Sequence, residues 1–165
     1  MESSLHATEE EAGSSNLGHQ ALSFFLHAAL ALATWFLIML VGYALNPPNV
    51  SQLFILVLCL AVPFVVGFLV NRFRQNEMAG LVWLLGLIWI LVIALWVLDM
   101  PTGPNQCFQC DATTKLSRTF LSLPEPSGLV DNDGPFIATW PAAALLGYAI
   151  GARIAYKKPE PEPAD

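Results

Sequence analysis

The sequence predicts an all-α, polytopic membrane protein: a bundle of four transmembrane helices with one long extracytoplasmic loop. Three observations point there. Four apolar runs, Ala21–Leu45, Leu53–Val70, Met78–Leu98 and Phe136–Ala155, fill most of the chain, and Arg153 is the one charged residue among them. The composition is 55% hydrophobic and 12% charged, about half the charged fraction of an ordinary soluble domain. The connections between the runs are rich in Pro, Asn and Gly. A hydrocarbon core about 30 Å thick is crossed by roughly 20 apolar residues rising 1.5 Å each. Lipid offers no hydrogen bonds to a bare backbone, so such segments satisfy their own polar groups by coiling.

The elements follow in chain order. Residues 1–20 are polar and acidic with little to bury, and are expected to form a flexible tail. They hold no Lys or Arg, unlike a secretory signal, so the first span is expected to stay in the mature protein. That span, residues 21–45, ends at Asn46-Pro47-Pro48-Asn49, where two prolines forbid continuation. The second span, 53–70, carries Pro63 in its middle and Gly67 one turn later. Proline frees a carbonyl and kinks a helix. The kink reads as a packing bend or as a gating hinge.

The turn from Asn71 to Glu77 is short and contains Arg72 and Arg74, which makes the second and third spans an antiparallel hairpin. In the third span, 78–98, Trp83 and Trp96 lie near the two ends, where amphipathic rings suit the headgroup zone, while Trp89 reads as a packing residue. The loop 99–135 is the one long connection. Within it, Leu116, Phe120 and Leu123 recur at helical spacing and predict a short amphipathic helix over Thr113–Leu123, lying on the membrane surface or on the mouth of the bundle. The fourth span covers 136–155, with Pro141 in its first turns, and the Pro- and Glu-rich segment 157–165 reads as extended chain. The whole is one membrane domain, 21–156, between two tails.

Charge placement predicts orientation. Arg72, Arg74, Arg153, Lys157 and Lys158 gather on one side of the predicted bundle, whereas the long loop holds only Lys115 and Arg118. The positive-inside rule then puts both termini in the cytoplasm and loop 99–135 outside. The net charge of −6 and the scattered basic residues argue against nucleic acid. The expected partners are the lipid bilayer and other membrane subunits, or a second copy of the chain.

Few residues carry chemistry. Cys107 and Cys110 form a CxxC in the outer loop. A structural disulfide, a thiol–disulfide exchange pair and half of a metal site all fit that spacing. A tetrahedral zinc site needs four ligands, and this motif supplies two, so no metal is predicted. His27 is the one histidine inside a span. Intramembrane ionisable residues mark function by default, which makes it a weak cofactor-ligand candidate, with a hydrogen bond to a neighbour as the plainer reading. Asp99 closes the third span, and Asp131-Asn132-Asp133-Gly134 reads as a turn because a calcium loop would need a later bidentate Glu. Ala143, Gly147, Gly151 and Ala155 repeat every fourth residue and put small side chains on one face of the fourth span. Such a face lets a second helix approach closely, within the bundle or from another subunit.

The functional expectation is a small non-catalytic subunit or assembly partner of a membrane complex, with no cofactor. Two alternatives stand beside it. One is a thiol–disulfide redox protein acting through Cys107 and Cys110. The other is a small oligomeric transporter or pore in which Pro63, Gly67 and Thr34 line a wet path.

Overall fold

The computed structural model describes residues 3–45, 52–99, 110–121 and 138–157, with side-chain placement from residue 18 onward and not for 45 or 52. Every described element is helical. Helix α1 spans Ser3–Leu45 and α2 spans Gln52–Phe73. A 3-10 turn at Glu77–Leu81 leads into α3, Trp83–Asp99. A short α4 covers Ala112–Leu121, and α5 covers Thr139–Ala155.

Three stretches are long and apolar enough to cross a bilayer: Gly18–Ala44, Leu53–Phe73 and Glu77–Asp99. They coincide with the first three apolar runs of the sequence. Helix α1 starts well upstream of its apolar stretch, continuing through the segment expected as a tail, where Glu, Ala and Leu favour helix. The third stretch is not α-helical throughout. Its first turn is 3-10, and the side chain of Asn76 caps it by accepting from the Met78 amide at 2.9 Å. The fourth run gives α5, whose 17 residues are about 25 Å long. That is shorter than the about 30 Å apolar layer, and α5 is not among the three spanning candidates.

What α5 lacks in length it makes up in position. Eleven of its 17 residues are buried, against three of 17 in α3. All three long helices and the 3-10 turn pack on it, α2 most extensively. The pairings fix direction. His27 meets Tyr148, and Trp35 and Met39 share a cluster with Trp140, so α1 runs antiparallel to α5. Val97 lies by Ala138 while Gly80 lies by the Arg153 side chain, so the α3 arm of the hairpin is also antiparallel to it. Leu60 meets Gly147 and Asn71 meets Ala152, so α2 runs parallel to α5.

Three apolar clusters stack along this axis. At one end Ile93, Val97 and Ala138 are joined by Trp89 and by Phe120 of α4. Met39, Ile55, Cys59 and Trp140 form a second cluster. The third, toward the 3-10 turn, gathers Ala28, Ala31, Ala79, Val82, Leu145 and Tyr148. Helix α4 therefore sits on the α3–α5 end of the bundle, tied by Thr139 Oγ1 donating to the Phe120 carbonyl at 3.0 Å. Its start is set by Asp111, whose carboxylate accepts from the Thr114 amide at 3.3 Å, the geometry of a helix cap. Trp96 is half exposed near the far end of α3. Large apolar side chains point outward all along α1, α2 and α3, Phe36, Leu37, Leu91 and Leu95 among them. Outward apolar belts of this kind are what lipid requires and water penalises.

Candidate functional site

The hydrogen bonds that link several helices through polar side chains gather, among the described residues, around the turn between α2 and α3. Asn71, in the last turn of α2, is 1% exposed. Its Nδ2 donates to the Ala152 carbonyl of α5 at 2.6 Å, and its Oδ1 accepts the Asn76 amide at 2.7 Å. Asn76 in turn donates through Nδ2 to Ser23 Oγ of α1. A single chain of hydrogen bonds, Ser23–Asn76–Asn71–Ala152, thus ties α1, the turn, α2 and α5 together. Asn71 is the buried member, and without its partners it would be stranded in apolar surroundings, where an unmade hydrogen bond costs about 1–3 kcal/mol.

His27 lies one helical turn deeper than Ser23. Its Nδ1 is 2.7 Å from the Tyr148 hydroxyl of α5, with ring centroids 5.9 Å apart. The hydroxyl and one ring nitrogen are therefore engaged with each other. Two cavities flank Asn76. One, of about 470 Å³, lies between the turn and the end of α5 and is lined by Asn71, Glu77, Arg153 and Tyr156 among others. The second, of about 450 Å³, lies between α1 and the end of α2; its walls include His19, Ser23, His27 and Arg74.

The remaining candidates from the sequence fall elsewhere. Cys107 lies outside the described residues, as does Asp131-Asn132-Asp133-Gly134. Cys110 is half-buried directly ahead of α4, at the opposite end of the bundle from the polar chain. Cys59 is free and wholly buried beside Met39 and Trp140. Among the described residues no three His, Cys, Asp or Glu side chains gather as a metal site would need. Asp99 is exposed at the end of α3.

The small-residue face of α5 lies against α2 of the same chain. A Cβ added at Gly147 would overlap the Leu60 carbonyl oxygen and stand 3.0 Å from its carbon. At Gly151 it would overlap the Phe64 carbonyl and stand 2.9 Å from the Phe68 nitrogen. Gly67 of α2 reciprocates, facing the Tyr148 carbonyl. Ala143 is half-buried against the Trp140 cluster, and Ala155 is buried. Backbones in such contact exchange Cα–H···O interactions and dense dispersion. Pro63 is fully buried, inside an α2 that is helical on both sides of it. Thr34 turns its hydroxyl back onto the Ala31 carbonyl at 2.6 Å.

Tyr148, Asn71, Asn76 and Ser23 did not stand out in the sequence. A signal existed for two of them: Asn71 ends an apolar run, and Tyr148 is the polar-tipped residue inside the Gly147–Gly151 spacing. Nothing local announced that they would meet residues 50 to 120 positions away.

Comparison with known proteins gives no matching family, no matching curated relative and no matching solved structure, so the functional reading rests on the geometry of this bundle.

Proposed function

We propose that this chain is a small non-catalytic subunit or assembly partner of a membrane complex, crossing the bilayer four times with α5 as the fourth, shorter crossing. Both termini and the Arg72–Arg74 turn lie in the cytoplasm, and residues 99–135 lie outside. The parallel course of α2 and α5 supports four crossings, because a chain that turns back through α3 and returns through α5 must run that way. The distribution of basic residues supports the orientation.

One observation carries the subunit reading. The polar groups near the bundle axis are used on one another, His27 on Tyr148 and Asn71 on Ala152, while the outward faces of α1 and α3 present broad apolar surfaces. The interior is thereby suited to holding shape, and the exterior to lateral contact in the bilayer. The glycine face of α5 is already covered by α2, so a partner would meet α1, α3 or the outer loop. A pore through the single chain has less support. Pro63 is fully buried, Gly67 is packed against α5 and the Thr34 hydroxyl is bonded to its own helix.

The test is extraction in a mild detergent followed by native mass spectrometry, with photocrosslinking residues at Phe36 and Leu91. A stoichiometric complex crosslinked through either position is the expected result. Recovery as a lone monomer without crosslinks overturns the proposal. For the redox alternative, Cys110→Ser traps a mixed disulfide with a specific partner if the pair exchanges thiols, and unchanged behaviour after both Cys107 and Cys110 are replaced removes that reading.

A further inference from the structure

We propose that the cavity between α1 and the end of α2 is a specific binding site for one anionic phospholipid, with Arg74 taking the phosphate. The position of the cavity is the first argument. The apolar stretch of α1 begins at Gly18 and that of α2 ends at Phe73. Ser23 and Asn76 are hydrogen bonded, so these two ends lie side by side. The cavity opens there, at the depth where an apolar stretch gives way to headgroups.

Its lining is graded along that depth. His19, Ser23, Arg74 and Gln75 line the end nearest the turn. Leu26, Leu30 and Val70 line the part that runs along α1 and α2 into the apolar zone, where the one polar residue, His27, has its Nδ1 engaged with the Tyr148 hydroxyl. From His19 to Leu30 α1 rises about 16 Å. A ligand that fits this gradient is polar at one end and apolar at the other, lying parallel to the helices. A phospholipid in the adjacent leaflet has that shape and that orientation.

Charge selects the headgroup. Among the described residues lining this cavity there is no carboxylate, while Arg74 is cationic and His19, Gln75 and Asn76 offer further donors. Guanidinium binds phosphate oxygens in a two-point fork, and amide and imidazole donors complete such a site. The companion cavity on the other side of Asn76 differs, since Glu77 lines it beside Arg153. Anion recognition thus belongs to the α1–α2 side. Asn76, in the wall of the site, is itself fixed by its bonds to Ser23 and Asn71 before a lipid arrives.

The experiment is native mass spectrometry of the full chain in mild detergent with added phosphatidylglycerol, and with phosphatidylcholine of the same acyl chains. One phosphatidylglycerol retained per chain, in preference to phosphatidylcholine, is expected. Arg74→Gln weakens retention roughly tenfold, the worth of one charge-assisted hydrogen bond. Arg72→Gln leaves it unchanged, because exposed Arg72 carries the same charge on the same turn and does not line the cavity. Leu26→Trp, at a position 62% exposed and so tolerant of size, narrows the apolar part and weakens retention too. Equal losses from Arg72→Gln and Arg74→Gln would mean that general surface charge attracts the lipid, and the site would be refuted. Equal retention of both lipids refutes anion selection. Displacement by inorganic phosphate with no effect of Leu26→Trp refutes the acyl part. Unchanged helical circular dichroism and elution of each variant show that binding, not folding, was altered.

Discussion

Six of the glycines in described helices form a ruler for the claim that backbone contact between α2 and α5 holds the bundle together. The perturbation is the same at each: one methyl group, Gly→Ala. At Gly18 the added Cβ meets nothing within 4 Å, and at Gly80 it meets only the Arg153 Cβ at 3.8 Å. At Gly86 it makes contacts of 3.4 Å with the Ala142 carbonyl oxygen and Leu145 Cβ. At Gly67, Gly147 and Gly151 it collides with main chain of the facing helix. Carbon atoms rest about 3.5–4.0 Å apart, so a Cβ at 3.0 Å from the Leu60 carbon requires α2 to withdraw by about 0.5–1 Å. A gap of that size forfeits a quarter to a half of each dispersion contact along the interface. The net penalty for overpacking of this kind is about 1–3 kcal/mol. Against it stands a helix-propensity gain of up to about 1 kcal/mol for Ala over Gly, which every site shares. Gly18→Ala should therefore be neutral or stabilising, Gly86→Ala close to neutral, and Gly147→Ala and Gly151→Ala destabilising. The pair Gly147→Ala/Gly151→Ala should lose less than the sum of the singles, since one withdrawal of α2 relieves both. Equilibrium unfolding in mixed micelles reads these differences. Equal stability at Gly18, Gly147 and Gly151 would refute the reasoning.

Other outcomes follow from the polar groups. A double-mutant cycle of His27→Leu and Tyr148→Phe should show a coupling of about 0.5–1.7 kcal/mol in unfolding, the range for hydrogen bonds between membrane helices, and a coupling near zero would deny that the 2.7 Å contact is made. Asn71→Asp keeps the acceptor for the Asn76 amide but sets an oxygen against the Ala152 carbonyl, so it should destabilise more than Asn71→Leu in the same unfolding assay. Asp111 is held below the usual carboxylate range by its hydrogen bond from the Thr114 side chain, and the Thr114 amide adds to this. Because its folded value is the lower one, its contribution to α4 is complete above the ordinary Asp range near 3.9 and is lost as pH falls through the depressed value. Amide exchange at Thr114, corrected for intrinsic rates, should rise on acidification across that window and be insensitive to it in Asp111→Asn.

Much of the fold was legible in the chain because lipid imposes a local rule. Apolar runs of sufficient length have to be helices, and the spans predicted at 21–45, 53–70 and 78–98 lie within a few residues of the apolar stretches found. The fourth run was harder to read. Phe136 and Ile137 counted toward its length but lie outside the described residues, and hydropathy says nothing of centrality, so α5 looked like one span among four. Its alanines and glycines did signal close packing, while the identity of the facing helix depended on tertiary arrangement. The amphipathic spacing around Leu116 and Phe120 anticipated α4, which runs from Ala112 to Leu121, and Phe120 is what seats it on the α3–α5 end. The polar chain through Asn71 was least legible. Asparagine in a turn ordinarily serves the turn, and only the fold shows that this one reaches the last helix.

The central claim is that lipid surrounds the outward faces of these helices, and a nitroxide on Leu91 tests it most directly. Leu91 lies midway along α3 and is 60% exposed on the bundle surface. In a Leu91→Cys variant lacking the native cysteines, purified free of partners, labelled and placed in bilayers, collision with dissolved oxygen should far exceed collision with a water-soluble nickel complex. Ready access of the nickel complex to that position would contradict the account.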